Sequence, residues 1–175
     1  SQGSASTEVS EPTLGSKMIE QRQDFAFVVL SDGRLLSIGG RGVAKVASSG
    51  YMEYIATSDL YDPVADKWAL SGTMDYWRSV PSAVELEDGK VLVSGGAAHQ
   101  RNATSLTEIW DAGTGEWTIV APMNQAREKF GLIRLEDGRV IAIGGSDDVG
   151  QHTPTAEIYD PAADTWTLTD PMGEN

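Results

Sequence analysis

Three copies of one pattern run along this chain. The first half of the pattern reads LSDGRLLSIGG ending at Gly40, LEDGKVLVSGG ending at Gly96 and LEDGRVIAIGG ending at Gly145. Each is followed by a second matched segment that closes on a tryptophan. These are SDLYDPVADKW at Trp68, TEIWDAGTGEW at Trp117 and AEIYDPAADTW at Trp166, two steps of 49 residues. Met18, Met74, Met123 and Met172 open successive units, and Arg22, Arg78 and Arg127 follow the first three of them by four residues. The interval from the Gly-Gly pair to the aromatic before Asp is 21 residues in the first copy and 14 in the others. Seven extra residues therefore sit between Arg41 and Thr57. A period of this kind marks an array in which one supersecondary unit buries its faces against its neighbours. The units divide the chain into a Ser-rich, flexible N-terminal segment at 1–17, repeats at 18–73, 74–122 and 123–171, and a terminal stub at 172–175.

Each unit reads as four strands. The Asp-Gly pairs at Asp32, Asp88 and Asp137 are hairpin signals, because a primed turn needs positive φ. The following strand, as in Arg139–Ile143, is nearly all apolar, which suits burial on both faces. Gly-Gly ends it. Asp62-Pro63 and Asp160-Pro161 signal the next turn, with proline preset for its second position. The fourth strand carries the tryptophan. The expectation is an all-β chain of three four-stranded antiparallel sheets.

Apolar strand, Asp-Gly, apolar strand, Gly-Gly, Tyr-Asp-Pro and Trp six residues before Met-x-x-x-Arg together resemble the Kelch repeat, in its bacterial wording. The resemblance covers residues 18–172 and implies a β-propeller, each repeat forming one blade around a central channel. Phe25-Ala26, Pro81-Ser82 and Phe130-Gly131 depart from the usual opening of the first strand, and Ala112-Gly113 replaces Pro-Val or Pro-Ala in the second repeat. Neither change bears on the fold. Kelch propellers close with six or seven blades, and three leave an apolar flank at each end. A few hundred Å² per flank, at about 25 cal/mol/Å², is on the order of 10 kcal/mol of unclaimed burial. The expectation is a homodimer that completes a six-bladed ring; the alternative is a fragment whose other blades lie elsewhere.

Composition narrows the partners. Asp and Glu number 26 against 13 Lys and Arg, a formal charge of −13. That argues against nucleic acid and anionic lipid, which require a basic surface. No apolar run approaches the length of a membrane span. With no cysteine, thiolate metal sites, disulfides and a cysteine nucleophile are excluded, as is the Tyr–Cys redox cofactor of copper-oxidase relatives of this fold. No cofactor is expected, and the compartment is unknown; the bacterial-type repeat implies extracellular or cell-envelope placement.

The turns place acidic residues such as Asp32, Asp62, Asp88, Asp137 and Asp160 on one rim, where they read as turn chemistry. The other rim carries the longer loops and Arg22, Arg41, Lys45, Arg78, Arg101, Arg127 and Lys129. Loops on a rigid scaffold are where binding resides. Six of the thirteen aromatics are repeat positions and Phe25, Phe27 and Phe130 lie on first strands. The remaining four, Tyr51, Tyr54, Tyr76 and Trp77, map to the loop rim. With Arg78 beside them they form a candidate patch for a sugar ring or peptide; packing of the seven-residue insertion is the other reading of Tyr51 and Tyr54. Arg22, Arg78 and Arg127 share one repeat position. That suggests a brace between blades, or a ring that grips a carboxylate. His99 and His152 lie in loops without ligand spacing, so no metal site is expected. The chain is accordingly read as a non-enzymatic Kelch propeller scaffold that binds protein or ligand through its loop rim. A carbohydrate-active or sugar-binding propeller and a purely structural or engineered assembly module are the alternatives.

Overall fold

A computed structural model describes residues 16–43, 52–98 and 102–170. Tyr51, Lys45, His99 and Arg101, most of the 1–17 segment and the 172–175 stub lie outside them. The strands are β1 (Ala26–Val29), β2 (Leu35–Ile38), β3 (Arg41–Val43), β4 (Met52–Tyr54), β5 (Thr57–Asp62), β6 (Lys67–Thr73), β7 (Ser82–Glu85), β8 (Val91–Ser94), β9 (Thr107–Trp110), β10 (Trp117–Val120), β11 (Gly131–Arg134), β12 (Val140–Ile143), β13 (Ala156–Asp160) and β14 (Thr165–Leu168). They form three four-stranded antiparallel sheets, β1-β2-β5-β6, β7-β8-β9-β10 and β11-β12-β13-β14, and a hairpin of β3 with β4. The insertion, expected as a longer loop, is thus built as an extra hairpin, with Arg41 opposite Tyr54.

The turn chemistry differs from the expectation in one respect. Gly33 N–H donates to the Leu30 carbonyl at 2.9 Å, and Leu30 N–H to the Arg34 carbonyl at 2.8 Å. The loop therefore has three residues, and only its last, Gly33 at φ 89°, is left-handed. This is the bulged hairpin turn and not the two-residue primed one. Asp32 contributes through its side chain: Oδ1 accepts the Arg34 N–H at 3.0 Å. Asp88 and Asp137 repeat the contact. At the outer turns Asp62, Asp111 and Asp160 accept backbone N–H groups two residues on, as Asx turns do.

The core lies between blades. One cluster joins Val28, Leu30, Leu36 and Ile38 of the first sheet to Val91, Val93, Trp110 and Met74 of the second. The other joins Leu86 and Leu92 to Val140, Ala142, Tyr159 and Trp166. Residues two apart on one strand serve one junction, and the alternate set serves the next, as the period of two requires. Three four-stranded antiparallel sheets that bury their faces against one another are the arrangement of propeller blades.

Candidate functional site

The loop rim is organised by three buried arginines. Arg127 donates through Nη1 to the carbonyls of Gly144 (2.9 Å) and Thr155 (3.1 Å), and through Nη2 to Glu157 (2.8 Å). Arg78 repeats this with Leu106 O and Glu108, and Arg22 with Gly39 O, Thr57 O and Asp59. All six paired side chains are fully buried. Burial lowers the Arg78 pKa, opposed by the charge and hydrogen bond of Glu108.

This bears on both readings of the arginines. The guanidinium groups face their own blades, so they do not present a ring of cations to a ligand. Their side chains do not cross to the neighbouring blade either. The link between blades runs through their main chain: the Arg78 carbonyl accepts Gly40 N–H at 2.8 Å, and the Arg127 carbonyl accepts Gly96 N–H at 2.9 Å. The partner acids were missed, although Asp59, Glu108 and Glu157 stand 49 residues apart on the third strands, a signal as regular as the arginines themselves.

The first blade is the irregular one. The carboxylates of Glu108 and Glu157 also accept main-chain N–H groups, from Asp75 at 2.8 Å and from Asn124 and Gln125 at 2.6 and 3.0 Å. Asp59 is one methylene shorter. It reaches Glu20 N–H only at 3.4 Å, and its Oδ1 is buried without a partner.

Of the loop aromatics, Tyr54 and Trp77 come together as a stack, with ring centroids 4.6 Å apart and planes at 30°. The stack fastens the β3–β4 hairpin onto the linker between the first two blades. Tyr76, beside them in sequence, is exposed. Next to Tyr54 is a cavity of about 550 Å³ lined by Met18, Ile19, Glu20, Gln21, Gly42, Glu53, Ile55, Ala56 and Thr57. Two carboxylates and no basic side chain line it. Arg41, expected among the rim cations, is bound to Asp24. His152 lies on the third blade, away from this cavity, bridging Ser146.

A strained backbone borders the same rim. Asp24, Val80 and Lys129, at one repeat position ahead of the first strand, have φ of 56°, 46° and 55°. Val80 is β-branched, for which left-handed φ is a genuine outlier. Its N–H donates to the Asp24 carbonyl of the preceding blade at 2.6 Å.

Comparison with known proteins agrees with this geometry. Residues 137–173 match the family model of the Kelch motif. No match is found among curated proteins. Among solved structures, one described as "Structure of YjhT" superposes with a TM-score of 0.74 at 15% identity, over 88% of this chain and 53% of that one. A fungal alcohol oxidase of the AA5 family, in complex with copper, superposes with a TM-score of 0.55 at 18% identity, over 90% of this chain and 45% of that one. At these identities the likeness is one of fold. The chain spans about half the length of the solved structures it matches. Among the described residues no helix is long and apolar enough to cross a membrane, and no group of three His, Cys, Asp or Glu is placed to hold a metal ion.

Proposed function

From the Kelch-type blades, we propose that this chain is a non-enzymatic propeller scaffold that binds a ligand through its loop rim. In this reading two copies make up the ring. The observation that carries the binding reading is the Tyr54–Trp77 stack at the edge of the 550 Å³ cavity. An aromatic wall beside polar groups suits a sugar ring or a peptide side chain. Glu20 and Glu53 narrow the choice. With the three arginines turned inward, nothing at the cavity attracts a carboxylate. A neutral glycan or an uncharged or basic peptide fits, and an acidic peptide does not.

The test is retention on a glycan array and on a peptide array, followed by titration of the best hit. The reading predicts binding without turnover, weakened at least tenfold by Tyr54→Ala and unaffected by Val64→Ala on the opposite rim. Retention of no probe, or turnover of the bound sugar, overturns it.

A further inference from the structure

The two inner blade junctions show how one flank of a blade fits the opposite flank of the next, and among the described residues the equivalent positions on the two outer flanks have no such neighbour. On the leading flank Leu36 and Leu92 are fully buried, whereas the equivalent Ile141 is partly exposed. Val28 is 7% exposed; its equivalent Ile133 is 54% exposed. On the trailing flank Trp110 and Tyr159 are 1% exposed, and the equivalent Tyr61 is partly open. Phe27 stands 54% exposed on that same flank.

Main-chain groups follow the same rule. Gly40 and Gly96 are buried and donate to arginine carbonyls across their junctions. Gly145, at the same position, is partly exposed. Met74 and Met123 donate N–H to the Ala56 and Ser105 carbonyls of the preceding blade at 2.9 Å each. For Met18 the equivalent acceptor is Pro154, which lies at the far end of the chain.

We infer that the leading flank of the third blade binds the trailing flank of the first blade in a second copy, repeating the internal junction bond for bond. Gly145 N–H donates to the partner's Arg22 carbonyl, and where the chain's own Met172 does not take the Pro154 carbonyl, that carbonyl accepts the partner's Met18 N–H. Ile133 packs on the partner's Phe27, as Val28 packs near Ala83 and Val84 near Leu132. A flank-to-flank contact between unlike surfaces either closes or grows a filament. Closure by one further copy is favoured because this chain matches about half of a solved propeller chain. The seam is apolar and each copy carries −13, so added salt screens repulsion between copies without weakening the contact.

This inference rests on the two-copy part of the proposed function and is independent of the ligand. Its test uses two variants at exposed side chains, Phe27→Lys and Ile133→Glu, which leave each blade's own core intact. Sedimentation of the unaltered chain is expected to give twice 18.7 kDa, both in low salt and in about 1 M NaCl, where the Debye length falls to about 3 Å. Each variant alone has both seams broken and is expected to sediment as a monomer with unchanged circular dichroism. An equimolar mixture has one intact seam and one Lys–Glu seam, and is expected to return to the doubled mass. A chain ending at Asp170 should keep that mass, since Asp170 and the partner's Ser16 hold the same repeat position. A monomeric unaltered chain, open-ended growth, a dimeric single variant or a mixture that stays monomeric overturns the seam. Any of these can occur with ligand retention on the arrays intact, which separates the two failures.

Discussion

Arg127 and Glu157 form an ion pair at 2.8 Å with both side chains fully buried, and the same pair recurs in the second blade as Arg78 with Glu108. The chain thus ties the start of each blade to its own third strand with a charge taken wholly out of water. Such a pair is costly to break, because the remaining charge stays buried. Glu157→Gln is expected to cost about 3–5 kcal/mol. Asp137 and Arg139 form a pair of similar length, 2.7 Å, but each is about half exposed. Asp137→Asn should cost at most about 1 kcal/mol. Thermal unfolding of the two variants checks this; equal losses would contradict it.

Asp59 offers the converse experiment. Its missing methylene leaves Oδ1 without a partner and the Glu20 N–H poorly bonded. Asp59→Glu restores the side chain used in the other two blades. The variant is expected to gain about 1 kcal/mol, the worth of one satisfied hydrogen bond, seen as a rise of roughly 2–4 °C in Tm. A lower Tm would show that the first blade has adapted to the shorter acid.

These cases also show what the sequence made legible. The strand order within each sheet could be read because the repeat states it three times. The Tyr54–Trp77 contact was legible only as a shared rim, since its two residues belong to the unrepeated insertion and to a linker. The arginines could be read either as a brace between blades or as an outward-facing ring, because regular spacing marks a position without marking its direction. Only the matched acids on the third strands reveal that the guanidinium groups turn inward. The Asp-Gly turn was misassigned for a related reason: the dipeptide signals a hairpin, but loop length is set by the pairing of Leu30 with Arg34.

Val80 should respond to relief of strain. A β-branched residue held at φ 46° costs on the order of 1–2 kcal/mol, and asparagine tolerates that region. Val80→Asn is expected to raise the urea midpoint with an unchanged m-value. A fall would mean that packing of the valine outweighs its backbone cost.

Stability should also decline at high pH. Burial, and the hydrogen bond to Asp164, raise the Tyr159 pKa above its ordinary value. A group whose folded pKa is raised contributes stability that is complete below the unfolded value, about 10, and is lost as pH climbs through the folded one. Absorbance titration near 295 nm is expected to show late tyrosine ionisation that coincides with loss of the β-sheet signal. Tyr159→Phe should shift that unfolding to higher pH. Ionisation of every tyrosine near pH 10, with the sheet signal intact, would contradict the assignment.

The account as a whole turns on what covers the outer flanks, and the most direct measurement is to count blades in single particles of the purified chain by electron microscopy. Class averages viewed down the channel are expected to show closed rings of six blades with twofold symmetry. A population of three-bladed crescents, with both end sheets bare, would contradict it.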